Sequence, residues 1–356
     1  MLRGLAAMLV VYNHAIVLLA LAPQYELAPS LLASSVELGR LGAIGVDLFF
    51  VISGFVMALS APRFSGPAGA GTFLAQRFVR IAPLFYLACL LMLAEALRAG
   101  LPIERASIFN SITFIPLFDD ETYSFPLHYL GWTLAFEFVF YLAVAALIAV
   151  GRGRYAMLAV VTAVPLIGFA LQPALAIGKV LTNPILWEFS LGVIACLLYT
   201  KGWLLRLRLP LTAAAGLSLV ALGCAVWLWP EQLVSVGVDT VDGDRSIGRV
   251  LLWGVPAFLC FAATAGRAVS DGRLGRLLKL LGDASYSIYL SHLFVVMIIR
   301  EIMNRVAVHP DVVVLVTLAA SAVAGILIFR LVEAPLLKAG RHALNVMLPV
   351  HAGAKA

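Results

Sequence analysis

Ten apolar stretches occupy most of the sequence, and each is long enough, or nearly so, to cross a bilayer as a helix. At ~1.5 Å per residue, about 20 helical residues cover the ~30 Å hydrocarbon core. The chain is 62% hydrophobic and 12% charged, whereas water-soluble proteins carry about 25% charged residues. The sequence therefore predicts an all-α, polytopic integral membrane protein with about ten transmembrane helices. The predicted spans are residues 4–21, 43–60, 81–99, 130–150, 155–171, 184–199, 211–229, 248–265, 285–301 and 312–332.

The charges between these spans alternate in sign along the chain, except in the short connection 172–183, which carries only Lys179. The basic connections lie at residues 63–80, 152–154, 201–208 and 267–279. The acidic connections lie at residues 26–37, 104–121 and 231–244. Because arginine and lysine are retained on the cytoplasmic side of a membrane, both termini are predicted to be cytoplasmic. The net charge of +6 then reflects membrane orientation, and we predict no nucleic-acid partner.

The sequence divides into one membrane domain, predicted at residues 1–340, and a short cytoplasmic C-terminal tail at 341–356. The apolar run 106–118 is too short to span and is predicted to be interfacial or re-entrant. The two longer acidic segments, 100–129 and 230–247, are where an extracytoplasmic substrate would meet the protein. We find no internal repeat of the kind that builds transporters.

The first apolar stretch has a second interpretation, as a secretory signal peptide. Arg3, the apolar run and the sequence Ala20-Leu21-Ala22 are typical of one. Cleavage there would remove His14 and leave the loop charges hard to place. We therefore favour a membrane span.

A histidine inside this first helix is the strongest indication of function. The stretch from Gly4 to Leu21 has no charged side chain. Arg3 can lie at the lipid head groups, and His14 then lies ~16 Å deeper, near the midplane. An ionisable group at that depth is costly unless it faces a cavity or a partner. The alternative is a histidine that only joins packed helices by hydrogen bonds.

Further ionisable residues interrupt the other predicted spans. Glu137 is predicted ~10 Å from the outer face and His292 ~10 Å from the cytoplasmic face, so both could meet His14. A carboxylate can orient a histidine, which titrates near neutral pH, and such a group can act in acid–base chemistry. For Asp47 and Glu188 functional and structural roles are equally plausible, and Glu95 is predicted to be structural.

Arg77 and Arg80 lie one helical turn apart before the third predicted span, with Pro83 predicted in the first turn of its helix. Together with Arg3 they form a cytoplasmic cluster suited to phosphate or pyrophosphate. The alternative is that these residues only set orientation or bind lipid head groups.

The ninth span carries polar residues on one face. Ser285, Tyr289 and His292 follow spacings of four and three. A serine nucleophile is disfavoured because the sequence has no G-x-S-x-G elbow. The four cysteines lie far apart in apolar stretches, so we predict neither a disulfide framework nor a metal site.

Six segments, taken in order, resemble the membrane-bound acyltransferase-3 family, and they extend from residue 3 to residue 336. They are RGLAAMLVVYNH, with its Arg-x10-His pattern, GVDLFFVISGFVM, FLAQRFVRIAPLFYL, GWTLAFEFVFYL, LGDASYSIYLSH and VEAPL. The finer resemblance is to bacterial exopolysaccharide and O-antigen O-acetyltransferases.

This resemblance implies a multi-pass protein of the bacterial inner membrane that moves an acyl group from cytoplasmic acyl-CoA to a hydroxyl of a surface or secreted glycan. The expected acyl group is acetyl, with acetyl-CoA as its donor. The acceptor would be a glycan or a lipid-linked saccharide, and no metal is required. The oligomeric state is left open. The predicted catalytic residues are His14 and Glu137, and the predicted donor-binding residues are Arg3, Arg77 and Arg80. The predicted substrate-binding residues are Trp132, Ser285, Tyr286, Tyr289 and His292.

Several alternatives stay open at this point. His14 could act as a general base or carry a transient acyl group across the membrane. A secondary transporter or flippase also has polar residues in its helices. The acyl group could be succinyl, and the acceptor could be a lipid, a peptide or a macrolide.

Overall fold

The computed structural model describes residues 1–22, 30–33, 39–116, 118–119, 122–171, 173, 176–229, 243, 245–267 and 272–347. Within these residues, ten helices are long and apolar enough to cross a membrane, which confirms the predicted number of spans. The elements are α1 Leu2–Ala20, α2 Ile44–Ser60, α3 Gly66–Arg98, α4 Arg105–Thr113, β1 Phe118–Asp119, β2 Thr122–Tyr123, α5 Gly131–Ala149, α6 Arg154–Leu171, α7 Ala176–Leu181, α8 Leu186–Thr200, α9 Trp203–Arg206, α10 Arg208–Leu228, α11 Ser246–Arg249, α12 Val255–Thr264, α13 Arg273–Asp283, α14 Ser285–Met303, α15 Pro310–Ile328 and α16 Ala334–Met347.

Short irregular turns extend several of these helices. The 3₁₀ turns Arg40–Ala43 and Ala61–Arg63 flank α2. The π-helical turn Val250–Gly254 joins α11 to α12, and a second one, Phe329–Glu333, joins α15 to α16. Strands β1 and β2 form a two-stranded antiparallel hairpin. We call the end of the bundle at which α1 begins, and to which the arginine-rich connections belong, the basic end.

Helix α3 is much longer than its apolar stretch. It begins at Gly66 and has 33 residues, so it is ~50 Å long. Arg77 and Arg80 therefore lie inside it, and the prediction that Pro83 occupies a first helical turn is wrong. Hydropathy marks only the part of a helix that is apolar, and the alanine-rich start of α3 is helical without being apolar. Neighbouring helices let a membrane helix continue through a proline.

Helix α1 lies at the centre of the bundle, in contact with α2, α13, α14 and α15, and α2 lies between α1 and α8. The crossing of α2 and α8 is close because glycines face each other. A Cβ added to Gly54 would lie 2.2 Å from the carbonyl oxygen of Phe189, and one added to Gly192 would lie 2.2 Å from that of Val51. Small residues allow such backbone contact, which drives helix association in lipid.

The perimeter of the bundle is apolar and exposed. In α10 only Ala215, Leu222 and Val226 are buried. Large side chains of the same helix, such as Leu217 and Trp227, are exposed. Lipid tails would cover this face, because apolar side chains cost nothing in hydrocarbon.

The segment before α5 reaches deep into the bundle. The apolar run 106–118 begins in helix α4, and its last residue belongs to strand β1 of the hairpin. His128 then contacts the carbonyl oxygen of Leu290 through Nε2 at 2.9 Å, and Leu290 lies only ~8 Å along α14 from the basic end. A Cβ on Gly131 would lie 2.5 Å from Phe85. Since Phe85 is ~20 Å along α3 from its last residue, α5 begins deep in the bundle, and Glu137 lies deeper than the sequence predicts.

Candidate active site

A cavity of about 520 Å³ lies near the basic end and has residues of α1, α2, α3, α5, α14 and α16 in its wall. This volume is within the usual range of ligand sites, ~300–1,000 Å³. Its charged lining consists of four arginines and one glutamate, so positive charge is in excess. These residues are Arg3, Arg77, Arg80, Arg341 and Glu137.

Two of these guanidinium groups have unused hydrogen-bond donors. Nε of Arg3 and Nε of Arg77 are buried and have no hydrogen-bond partner within the described part of the chain. The guanidinium carbon of Arg77 lies 5.6 Å from the ring centre of Phe73. A buried donor without a partner costs ~1–3 kcal/mol. An anion with several oxygens in the cavity would remove that cost.

Glu137 lies in the same cavity, held by two hydroxyl groups. Its Oε1 accepts a hydrogen bond from Ser53 Oγ at 2.9 Å and another from the hydroxyl of Tyr141. Tyr141 is one turn further along α5, and Ser53 comes from α2. The carboxylate is therefore fixed where a ligand in the cavity would pass.

A second cavity of about 710 Å³ adjoins the first at the basic end. Arg3, Arg80 and Arg341 line both cavities, so they form a common wall. The second cavity adds Glu333 of the π-helical turn, whose Oε2 accepts a hydrogen bond from Ser287 Oγ at 2.5 Å. π-helical turns often occur at functional sites.

His14 and His292 form a pair. Nε2 of His292 lies 3.3 Å from Nδ1 of His14, and the ring centroids are 4.9 Å apart. Nδ1 of His292 lies 2.8 Å from the carbonyl oxygen of Tyr289, and Nδ1 of His14 lies 2.9 Å from that of Val10. A carbonyl oxygen only accepts, so each Nδ1 carries a proton in the neutral rings. His14 Nδ1–H then also faces the lone pair of His292 Nε2, and the lone pair of His14 is on Nε2.

Tyr289 connects this pair to the arginine-lined cavity. It lines the cavity, and its ring centre lies 6.1 Å from that of His292. Its hydroxyl lies 3.0 Å from Thr133 Oγ1, and Phe49 packs edge-on against it at 5.6 Å. Neither histidine is among the residues that line the cavity. The structure thus brings His14 to His292 and Glu137 to the arginines, rather than all three to one cavity.

The other predicted substrate-binding residues divide into two groups. Tyr286 lines the cavity and donates a hydrogen bond to the carbonyl oxygen of Ile81 at 2.8 Å. Trp132 does not line it and packs against Phe50 and Phe136 in the core. Ser285 is fully buried and is also absent from the lining.

Asp47 and Glu188 belong to a separate buried cluster. Arg249 Nε lies 3.0 Å from Asp47 Oδ1, and Arg249 Nη2 lies 2.9 Å from Asp47 Oδ2, which gives a bidentate ion pair. Glu188 packs against the π-helical turn, since a Cβ on Gly254 would lie 3.0 Å from its Oε1. Glu95 pairs with Arg98 at 2.5 Å on the surface, at the end of α3. The contacts of Asp47 and Glu188 join helices, whereas Glu95 and Arg98 belong to the same helix. None of the three acidic residues lines the arginine-lined cavity.

Sequence reasoning missed several residues of the cavity. Tyr141 was detectable in principle, because it follows Glu137 by four positions on one helix face. Ser53 and Thr133 had no distinguishing sequence signal. Arg341 was assigned to a tail, yet it lies in a helix and lines both cavities. Among the described residues, no three His, Cys, Asp or Glu side chains are grouped as a metal site would require.

Comparison with known proteins identifies the family of this chain. Residues 1–331 match the family model described as "Acyltransferase domain". The chain is 30% identical over 313 residues to the "Exopolysaccharide production protein ExoZ" of Rhizobium meliloti (strain 1021), covering 85% of this chain and 91% of that protein. It is 38% identical over 95 residues to "Protein 2 in picA locus" of Rhizobium radiobacter, covering 26% of this chain and 41% of that protein. No solved structure matches the chain significantly. The chain belongs to the acyltransferase-3 family.

Proposed function

We propose that this protein transfers an acetyl group from cytoplasmic acetyl-CoA to a hydroxyl group of an exopolysaccharide or of its lipid-linked precursor. The observation that carries the proposal is the arginine-lined cavity. Its wall contains guanidinium donors that have no partner among the described residues, and its Tyr289 adjoins the histidine pair. The relative that takes part in exopolysaccharide production supports the acceptor class.

The donor would enter from the cytoplasm with its phosphates at the arginines. Arg3, Arg77 and Arg80 offer fork-shaped donors that match phosphate oxygens better than the point charge of lysine does. The pantetheine arm would follow the cavity past Tyr286 towards Tyr289. Glu137 would orient the arm or the acceptor by accepting hydrogen bonds.

In the chemical step the acceptor oxygen attacks the thioester carbonyl carbon while His14 Nε2 takes the hydroxyl proton. The C–O bond forms, the C–S bond breaks, and the proton on His14 passes to the departing thiolate to give free CoA. His292 would act as a positioning residue that holds His14 in the tautomer with its lone pair on Nε2. If His14 Nε2 were itself acetylated, a second attack by the acceptor would regenerate the histidine.

The decisive experiment measures transfer of radiolabelled acetyl groups from acetyl-CoA to polysaccharide in membrane vesicles. General-base catalysis contributes about 10²- to 10⁴-fold to a rate. The transfer rate of His14→Ala should therefore fall by about this factor, while the amount of protein in the membrane stays unchanged. His309→Ala is the matched control, because His309 is an exposed histidine before α15. Full transfer by His14→Ala would refute the catalytic assignment. Trapping of label on wild-type protein without acceptor would favour the acyl-histidine route.

The proposed direction of transfer also requires the basic end to face the cytoplasm. A single cysteine at Glu104, in a background without the native cysteines, should react with an impermeant maleimide in intact cells. One at Arg206 should react only after lysis. The opposite pattern would place the arginine-lined cavity on the outer side and rule out cytoplasmic acyl-CoA as the donor.

A further inference from the structure

Helix α16 lies beyond the part of the chain that matches the family, which ends at residue 331. It follows the π-helical turn Phe329–Glu333 and packs along α3. The crossing point is Gly340, where an added Cβ would lie 2.3 Å from Cγ1 of Val79. Val79 stands between Arg77 and Arg80 in sequence, so this contact brings the next residue of α16, Arg341, to that pair.

Helix α16 adds cations to a region that is already positive. Arg341 lines both cavities, together with Arg3 and Arg80. Lys338, one turn earlier, lines the second cavity. Placing arginines side by side costs free energy unless an anion lies between them. The buried donors of Arg3 and Arg77 without partners in the described residues indicate the same anion.

The position of these arginines matches the order of phosphates in the proposed donor. Arg77 and Arg80 are half-buried, whereas Arg341 and Lys338 are exposed where the cavities open at the basic end. In acyl-CoA the pyrophosphate is closer to the thioester, and the 3′-phosphate is on the adenosine at the far end. When the thioester is near Tyr289, the pyrophosphate falls deeper in the cavity than the 3′-phosphate.

We propose that α16 forms the subsite for the adenosine 3′-phosphate of acyl-CoA, with Arg341 as its principal ligand and Lys338 beside it, while Arg77 and Arg80 hold the pyrophosphate. This inference rests on the proposed function. It assigns to the C-terminal helix the discrimination between CoA and compounds that lack the 3′-phosphate. The phosphate of an anionic lipid head group has the same chemistry, and the experiment separates the two.

The test measures dissociation constants of CoA and of 3′-dephospho-CoA by calorimetry on full-length protein in detergent. Wild type should bind CoA more tightly by about ten- to a hundredfold, the usual effect of one or more charge-assisted hydrogen bonds. Arg341→Gln should reduce this preference at least threefold, acting on CoA and not on 3′-dephospho-CoA. Arg77→Gln should weaken both ligands equally and leave the preference unchanged. Arg273→Gln, an exposed arginine that starts α13 at the same end, should change neither constant.

Each outcome has a definite meaning. If Arg341→Gln keeps the full wild-type preference, the assignment of α16 is wrong, although the proposed acyl transfer stands. If wild type binds neither compound, the proposed function fails together with the inference. The same measurements are repeated with added phosphatidylglycerol to test for a lipid ligand. If phosphatidylglycerol competes with CoA in wild type but not in Arg341→Gln, and this variant keeps the preference for the 3′-phosphate, the occupant is a lipid head group and the proposal is overturned.

Discussion

Replacing His292 should slow catalysis far less than replacing His14. The His292 ring contacts His14 Nδ1 at 3.3 Å and keeps its own Nδ1 on the carbonyl oxygen of Tyr289 at 2.8 Å. In this arrangement His292 Nε2 accepts a hydrogen bond from His14 Nδ1–H, so it does not itself offer a lone pair to a substrate. We therefore expect His292 to position the base, and the variants His292→Leu and His292→Gln test this.

The expected loss of rate follows from the two acceptors that contact His14 Nδ1. His292→Leu removes the longer contact, whereas the 2.9 Å contact with the Val10 carbonyl oxygen remains. One neutral hydrogen bond contributes ~0.5–1.5 kcal/mol, which corresponds to a rate loss of about 2- to 13-fold. The amide oxygen of His292→Gln can still accept from His14, so its loss should be smaller. His14→Ala should lose about 10² to 10⁴.

The assay is acetyl transfer to polysaccharide in membrane vesicles at saturating acetyl-CoA, corrected for protein abundance by immunoblot. Ser291→Ala is the matched control, because Ser291 is buried on the same helix and its Oγ has no hydrogen-bond partner in the described chain. It should leave the rate unchanged. If His292→Leu is as inactive as His14→Ala, His292 acts on the substrate directly. If the rate of His292→Leu falls less than twofold, the carbonyl oxygen of Val10 alone holds His14 in its tautomer.

Two predictions concern the packing that supports this site. Arg249→Met should destabilise the protein by ~3–5 kcal/mol, because it leaves the Asp47 carboxylate buried without its bidentate partner, whose side chain is only 6% exposed. The double variant with Asp47→Leu should recover part of this loss in thermal unfolding in detergent, and a double variant as unstable as the single one would contradict the argument. Gly192→Ala should lower stability by about 1–3 kcal/mol, since its Cβ would lie 2.2 Å from a backbone oxygen of α2. In Gly216→Ala the added Cβ has no atom of the described residues within 4 Å, apart from the adjacent backbone of its own helix. This variant should be neutral or stabilising by up to ~1 kcal/mol, and equal behaviour of the two alanine variants would disprove the close crossing.

The linear sequence determined the number of spans and the location of polar groups along each helix. Both follow from local chemistry, because about 20 apolar residues are needed to cross a bilayer and an ionisable residue among them is conspicuous. His14 and His292 were detected in this way. So was the spacing of Arg77 and Arg80, which share a helix face because they are three positions apart.

Tertiary structure alone decided which of these groups meet. The tilt and rotation of a membrane helix depend on the neighbours it packs against. Hydropathy therefore does not predict the tilt or the rotation. Glu137 therefore lies with the arginines and not with the histidines, and Asp47 pairs with Arg249, 202 positions away. Helix α16 shows the same limit. Its arginine reaches the cavity only because Gly340 lets the helix contact α3 closely, and that contact exists in three dimensions and not in the pattern of the chain.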